Sequence, residues 1–189
     1  MRPKLQLANV TKIIDNVLND SLLTSIKKRI ESPESMPWYF LENSATHDSS
    51  DLLNYSFYHI VLDNENYDNE ILSPNIFDIT NTIGLILKDL FKLEKAYGIS
   101  RLRWGMTTTL DKIHKHDPHT DSVSPHKVIL FYLNNSDGDT HFYNKEHEII
   151  DSVTPKENRA VLFNGSILHS SSKPVKFARR IILNINFVK

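Results

Sequence analysis

His119, Asp121 and His169 are the residues whose types and spacing best suit chemistry. His119 and Asp121 are two positions apart, so in an extended segment their side chains point to the same side and can reach one ion together. His169 comes later in the chain, just after the turn signal Gly165-Ser166. Two histidines and one carboxylate on one face of a metal leave positions open, which suits non-haem Fe(II) that binds a co-substrate and O₂. The sequence therefore predicts a metal site at these three residues.

A candidate for binding a carboxylate follows the third histidine. Arg180 opens the strand-like segment 180–187, and a planar guanidinium pairs with a carboxylate through two parallel hydrogen bonds. Arg179 stands directly before it, and a slip of one residue along a strand swaps the two faces. Strand alternation alone therefore leaves both arginines as candidates for the inward position.

His114 and His116 form a second histidine pair, with the spacing His-x-His. Such a pair could hold Zn or Fe in a cupin-like site. His126, His141 and His147 also lie nearby in sequence and are interpreted as surface residues or as neighbours of the site. His114 and His116 are thus the alternative metal ligands.

Composition limits the class of protein. The chain has 189 residues, of which 40% are hydrophobic, and its formal net charge is −1. This length and hydrophobic content predict a single domain, residues 1–189, with a sizeable core. The absence of cysteine excludes disulfides, thiolate metal sites and cysteine nucleophiles. The near-neutral charge provides no basic field, so we do not expect nucleic acid as a partner.

The start of the chain, Met1-Arg2-Pro3-Lys4, continues into mixed polar sequence without the apolar core of a signal peptide. No apolar run approaches the roughly 20 residues that cross a bilayer. We therefore expect a cytoplasmic protein without a membrane partner.

The first half of the chain, residues 1–98, is predicted to be mostly helical support. Apolar residues recur at three- and four-residue steps over residues 13–30, as on an amphipathic helix or a helix pair. Ser73-Pro74 predicts the start of another helix, whose stop is placed at Gly98. Residues 56–62, between these helices, are predicted to form a strand.

The second half, residues 99–189, is predicted to form a β core. Val128–Leu133 is a continuous apolar run, as expected of a strand that is covered on both faces. Turn signals separate further short strands, predicted at residues 139–143, 160–163, 167–169 and 180–188. Helices followed by many short strands indicate an α+β fold, mainly β: a sheet sandwich or jelly roll buttressed by N-terminal helices.

Several motifs of the second half, taken in order, resemble those of the Fe(II)/2-oxoglutarate-dependent oxygenases. They are His119-Thr120-Asp121, Phe131-Tyr132-Leu133-Asn134, Asp137-Gly138-Asp139-Thr140, Asn158–Phe163, His169 and Arg180–Phe187. The resemblance covers residues 101–188 and is greatest to the prolyl-4-hydroxylase-like branch, especially its small members from bacteriophages. It implies a double-stranded β-helix fold, Fe(II) as the metal, and 2-oxoglutarate and O₂ as co-substrates.

The same resemblance implies a role for each candidate residue. His119, Asp121 and His169 match the three iron ligands. Arg180 matches the basic residue that pairs with the distal carboxylate of 2-oxoglutarate, because the family pattern has one arginine directly before an apolar-Asn-apolar-Asn stretch. Tyr132 matches an aromatic hydroxyl that contacts the same carboxylate.

The predicted function is a dioxygenase that hydroxylates an unidentified substrate, either a peptide or a small molecule. By resemblance, a peptidyl proline or another peptidyl residue is the leading substrate class. The alternative is a non-catalytic jelly-roll binding module, or a cupin-like metalloprotein that uses His114 and His116. The likeness to phage proteins extends the expected location to the cytoplasm of an infected host cell.

Three segments are predicted to surround the substrate. They are residues 117–126, which carry two of the metal candidates, the stretch Arg101–Trp104, and the polar segment 43–51, which is expected to act as a lid. Within Arg101–Trp104, we expect Arg103 to line the substrate groove; a solvated strand edge is the alternative interpretation of this stretch.

Overall fold

The computed structural model describes residues 11–32, 34, 36–44, 51–67 and 70–189. Within these ranges the chain forms two helices and ten strands. In chain order they are β1 (Lys12–Asp15), α1 (Asp20–Glu31), β2 (Tyr39–Leu41), β3 (Ser56–Asp63), α2 (Pro74–Leu90), β4 (Gly98–Thr108), β5 (Lys127–Tyr132), β6 (Thr140–Tyr143), β7 (Ile149–Val153), β8 (Arg159–Asn164), β9 (His169–Ser171) and β10 (Arg179–Val188).

The strands form a major and a minor sheet, and every pairing between neighbouring strands is antiparallel. The major sheet has the order β1-β8-β5-β10-β4-β3-β2, and the minor sheet has the order β7-β6-β9. Residues 115–119 extend the minor sheet, because Lys115 forms an isolated bridge with Ser172 and His119 forms one with His169. Two facing antiparallel sheets with helical support match the predicted jelly roll.

Strand alternation divides the apolar residues between two cores. On β5, Ile129 and Phe131 pack into a large core with the helices, whereas Val128 and Leu130 pack between the two sheets. The core between the sheets also contains Phe142 of β6. The run 128–133 is therefore a strand covered on both faces, as predicted.

The two central strands β4 and β10 carry the polar residues of the interior. On β10, Leu183 and Ile185 face the helices, so Arg180 and Asn184 lie on the opposite face, toward the minor sheet. Both of these polar side chains are only 3% exposed. Buried polar groups need partners, so this inner face is where a functional site is expected.

The helices fix β4 from the other side. Ile26 of α1 and Ile83 of α2 have no exposed surface and join the core that contains Trp104 of β4. The Trp104 indole N–H donates to the Thr80 hydroxyl of α2 at 3.2 Å. This bond anchors the helix to the strand that carries Arg101 and Arg103.

The segment with apolar residues at helical spacing, residues 13–30, is only partly helical. Residues 12–15, predicted to begin a helix, instead form β1 at the edge of the major sheet, where Asp15 pairs with Arg159 of β8 at 2.6 Å. Tertiary pairing overrides local helical spacing here. The helix begins only at Asp20, where the Asn19 side chain accepts a hydrogen bond from the Leu22 N–H. The described residues before β4 thus form three strands as well as two helices.

Two element boundaries also differ from the prediction. Helix α2 ends at Leu90 and not at Gly98, because Lys92 adopts a left-handed conformation with φ 54°. The Leu93 N–H then bonds to the Lys88 carbonyl, closing the helix as a glycine commonly does. The predicted strand 167–169 begins only at His169, and β7 was not predicted.

We predict that Thr80→Val lowers the free energy of unfolding by about 1–3 kcal/mol, since the buried Trp104 N–H loses its acceptor. Urea denaturation measures this difference. Thr80→Ser, which keeps a hydroxyl, is the control and should lie closer to the wild type. Equal stability of the Val and Ser variants would show that the hydrogen bond does not anchor α2.

Candidate active site

The backbone itself brings His119 and His169 together. The His119 N–H donates to the His169 carbonyl at 3.0 Å, and the His169 N–H donates back at 2.9 Å. Asp121 follows two residues after His119, so it points to the same side. Ligand atoms of the three side chains all lie within 4.8 Å of one another, and within the described ranges no other group of three histidine or acidic residues does so.

Both histidines present the same ring nitrogen to this cluster. The Nδ1 of His119 lies 3.2 Å from the Asp117 carbonyl, and the Nδ1 of His169 lies 3.1 Å from the Ile167 carbonyl. A carbonyl only accepts hydrogen bonds, so each Nδ1 carries the proton and each Nε2 keeps a free lone pair. Partners of this kind fix the tautomer and orientation of metal-binding histidines.

Asp121 is held by two side chains of the major sheet. Arg101 contacts one carboxylate oxygen at 2.9 Å, and the Asn184 amide donates to the other at 2.9 Å. The Asp121 side chain is only 2% exposed. Burial alone would raise the pKa of this carboxyl, but the charge of Arg101 holds it well below its usual range. The carboxylate is therefore ionised while buried.

His119 is neutral at physiological pH. Burial lowers the pKa of His119 to about 4. A metal binds only the deprotonated forms of histidine and carboxylate. His119 and Asp121 are thus already in the protonation states that metal coordination requires.

Arg180 points into the protein and Arg179 points out, which settles the register of β10. Arg180 is 3% exposed and donates to the Thr140 hydroxyl at 2.8 Å. The Tyr132 hydroxyl lies 2.7 Å from the same Thr140 oxygen. Arg179 is exposed and pairs with Glu31 at 2.9 Å. The inward position therefore belongs to Arg180.

One cavity connects the arginine with the histidines. It is lined at one end by Arg180 and Thr140, and elsewhere by His119, His169 and Asn184. Asp121 is bonded to Asn184, and Tyr132 reaches the lining through Thr140. The structure thus brings every predicted site residue to this cavity or to its immediate lining.

His114 and His116, the alternative metal pair, lie in separate interactions. The Nε2 of His114 is 3.2 Å from Asp51, whereas the Nδ1 of His116 is 3.0 Å from the Ser44 hydroxyl. The two rings are 5.9 Å apart, and no third ligand joins them among the described residues. His116 does line the cavity, but as a buried neutral ring: burial, then the charge of Lys173, lower its pKa to about 3.

Sequence reasoning did not assign the roles of three residues at the site. Thr140 joins Tyr132 to Arg180, and Arg101 and Asn184 hold Asp121. Asn184 shares the inward face of β10 with Arg180, so strand alternation could have found it. Arg101 was predicted to lie near the substrate, as part of the stretch Arg101–Trp104, but its pairing with Asp121 was not predicted, because the two residues are distant in the chain.

The predicted lid lies mostly outside the described residues, which omit 45–50. Ser44 and Leu41, at the near side of that segment, line the cavity. Neither helix in the described part of the chain is long and apolar enough to cross a membrane.

Residues 106–188 match the family model of the 2OG-Fe(II) oxygenase superfamily, in which 2OG is 2-oxoglutarate. The predicted resemblance to the Fe(II)/2-oxoglutarate-dependent oxygenases is confirmed over this segment. The segment contains His119, Asp121, His169 and Arg180, and the superfamily uses Fe(II) and 2-oxoglutarate. The match favours a dioxygenase over a non-catalytic jelly-roll module. No curated protein matches the chain in sequence.

Solved structures confirm the double-stranded β-helix fold. A 2OG-Fe(II) oxygenase family oxidoreductase from Burkholderia pseudomallei is 13% identical, with a TM-score of 0.72, over 94% of this chain and 84% of that one. A Trichoplax adhaerens prolyl hydroxylase, in complex with a hypoxia inducible factor peptide, is 15% identical, with a TM-score of 0.64, over 95% and 84%. The α-ketoglutarate-dependent epimerase SnoN from nogalamycin biosynthesis is 11% identical, with a TM-score of 0.63, over 95% and 78%.

We predict that His116 makes the metal-free protein sensitive to acid. The pKa of His116 is about 3 in the folded state and about 6.5 when unfolded, so between these values only the unfolded state takes up the proton. From pH 7 to pH 4.5 this histidine should lower the free energy of unfolding by about 2–3 kcal/mol.

Urea denaturation in a chelator at both pH values tests this prediction. His116→Gln should reduce the loss of stability between pH 7 and 4.5 by about that amount, whereas His147→Gln, in an exposed loop, should not. An unchanged pH dependence in His116→Gln would contradict the assignment.

Proposed function

We propose that the chain is an Fe(II)- and 2-oxoglutarate-dependent dioxygenase that hydroxylates its substrate, working as a single domain over residues 1–189. The observation that carries this proposal is one cavity with two halves: the His119–Asp121–His169 cluster and the buried guanidinium of Arg180. The first suits a metal, and the second suits a carboxylate that enters the same space.

The donor set fits Fe(II). Two imidazole nitrogens and one carboxylate are the ligands of non-haem Fe(II) oxygenases, and they leave positions open for other ligands. The carboxylate of Asp121 accepts from Arg101 and Asn184 but still has lone pairs for a metal, since an ionised carboxylate has about four acceptor sites. His119, Asp121 and His169 would therefore hold the iron.

The opposite end fits the distal carboxylate of 2-oxoglutarate. Burial lowers the pKa of Arg180, but an arginine still keeps its charge at neutral pH. The Arg180 Nε is buried without a hydrogen-bond partner among the described residues, so the guanidinium has a donor to spare. Arg180 would bind the carboxylate, with Tyr132 and Thr140 beside it.

The chain's own residues position the reactants. When bound, Fe(II) and 2-oxoglutarate supply the oxidising chemistry: one oxygen atom of O₂ goes to the substrate, and the other to succinate as CO₂ leaves. Arg101 and Asn184 keep Asp121 ionised and oriented, and the Asp117 and Ile167 carbonyls keep both histidine rings turned toward the cluster. The protein thus orients a reaction whose difficult steps belong to its cofactors.

Hydroxylation of a peptidyl residue, proline above all, is the proposed outcome. It is supported by the prolyl-4-hydroxylase-like order of motifs and by the shared fold of the prolyl hydroxylase from Trichoplax adhaerens. The same fold also occurs in an epimerase, so the product must be measured. Succinate release and mass spectrometry of candidate peptides test the reaction type directly.

We predict that His119→Ala, Asp121→Ala and His169→Ala each weaken Fe(II) affinity by at least roughly 100-fold, because the loss of a mere neighbour of a ligand already costs 10–100-fold. Anaerobic Fe(II) titration, with Co(II) absorption as an independent readout, measures the affinity. His114→Ala and His116→Ala are the controls and should bind metal as the wild type does. An unchanged affinity in His169→Ala would remove it from the ligand set.

A second prediction concerns 2-oxoglutarate. Arg180→Ala should raise its dissociation constant by roughly 30- to several-thousand-fold, as expected when one partner of a buried charge pair is lost. Arg179→Ala, which removes the neighbouring exposed arginine, should change it only slightly. Anaerobic calorimetry on the metal-loaded protein measures both. The reverse ranking of the two variants would contradict the assignment of Arg180.

A further inference from the structure

Arg103 is a charged residue of the cavity that the proposed cofactors do not use. Its side chain is half-buried and lines the same cavity as His119 and His169. Within the part of the chain that the structure describes, no carboxylate forms an ion pair with Arg103 and no group accepts a hydrogen bond from its side chain. An unpaired guanidinium in a cavity wall is available for a ligand.

The carboxylates near Arg103 are already engaged. Asp121 is bonded to Arg101 and Asn184, and both oxygens of Asp63 accept hydrogen bonds from Glu65 and Asn66 in the adjoining loop. Burial, and next the like charge of Arg101, lower the pKa of Arg103 to about 10, so it stays charged at neutral pH. Its charge is therefore not neutralised from within the protein.

Strand register separates Arg103 from the arginine proposed for the co-substrate. On β4, Arg103 lies opposite Asn184, whereas Thr107 lies opposite Arg180. These two levels are four residues apart, or roughly 13 Å along the strand. Arg103 therefore lies at the metal end of the cavity, level with Asn184 and its partner Asp121, and away from the end where Arg180 would hold the distal carboxylate of 2-oxoglutarate.

We propose that Arg103 binds an anionic group, a carboxylate or a phosphate, on the substrate. This inference rests on the proposed function, because it assigns the co-substrate to Arg180. Arg103 is then a specificity residue: it favours substrates that carry a negative charge near the reacting carbon. A neutral substrate would leave the guanidinium in the wall without a counter-charge, which weakens its binding.

The first test uses inorganic phosphate and acetate as probes. The protein is loaded anaerobically with Mn(II) and 2-oxoglutarate, and probe binding is measured by calorimetry for wild type, Arg103→Gln, Arg103→Lys and the control Arg179→Gln. We expect Arg103→Gln to weaken probe binding by roughly 10- to 100-fold, the range for a lost hydrogen bond to a charged group. Arg103→Lys should retain part of the affinity, because it keeps the charge without the planar fork. The stronger of the two probes identifies the anion class.

The second test follows succinate release with matched acid and amide pairs. Peptides that contain glutamate are compared with their glutamine counterparts, and small carboxylic acids and phosphate esters with their neutral analogues. If the wild type accepts peptides or small molecules as substrates, it should prefer the charged compound of each pair. Arg103→Gln should lose that preference. A preference for peptides or for small molecules identifies the source of the anion.

Two outcomes would overturn the inference. Probe affinity that is the same in wild type and Arg103→Gln would show that no anion binds there. A weaker affinity of Arg103→Gln for 2-oxoglutarate itself would show that the arginine serves the co-substrate. Binding of metal and 2-oxoglutarate by the wild type is measured separately. If the wild type fails to bind them, the proposed function itself is wrong, and not only the role of Arg103.

Discussion

The ionised carboxylate of Asp121, buried between two sheets, is the constraint on which the site depends. A buried charge is costly unless it is paired and hydrogen-bonded. Arg101 and Asn184 supply this compensation from neighbouring strands, at 2.9 Å each. The carboxylate can only keep both partners if β4 and β10 remain in their present register. The geometry of the cluster is thus coupled to the pairing at the centre of the major sheet.

Helix packing protects that register from outside. The outer face of β4 and β10 is apolar, and it is covered by α1 and α2, with Trp104 bonded to Thr80. The inner face can then carry arginines and asparagines, because the stabilising hydrophobic contacts are made on the other side. The alternation of side chains along β10 therefore has two roles. Its odd-numbered residues pack into the core with the helices, and its even-numbered residues face the cavity.

Sequence predicted the features that depend on local pattern or on ordered motifs. The run 128–133 and the β character after residue 98 follow from the apolar pattern and turn signals, and the pairing of His119 with Asp121 follows from their spacing. The choice of Arg180 over Arg179 came from the order of the family motifs. Contacts between distant segments were not predictable, since Arg101 finds Asp121 only after β4 is placed in the sheet. Residues 12–15 show the same limit: their apolar spacing is helical, but pairing with β8 makes them a strand.

The end of α2 illustrates a different limit, in which the chain uses an uncommon residue for a common turn. Lys92 adopts the left-handed conformation that glycine usually adopts at the end of a helix. The sequence therefore pointed to Gly98, and not to Lys92, as the end of α2. Boundaries set by backbone conformation are therefore harder to predict than the elements themselves.

The side chains that line the cavity limit its chemistry more than the fold does. Prolyl hydroxylases and an epimerase share this barrel, so the frame alone does not select a substrate. In this chain, Arg180 lies at one end of the inner face, Arg103 lies toward the metal end, and Asp121 is the paired carboxylate near the histidines. A neutral pyrrolidine ring would offer Arg103 no counter-charge, whereas an acidic group beside the reacting carbon would pair with it. If the substrate is a peptide, the charge that Arg103 requires must therefore come from a residue flanking the one that reacts.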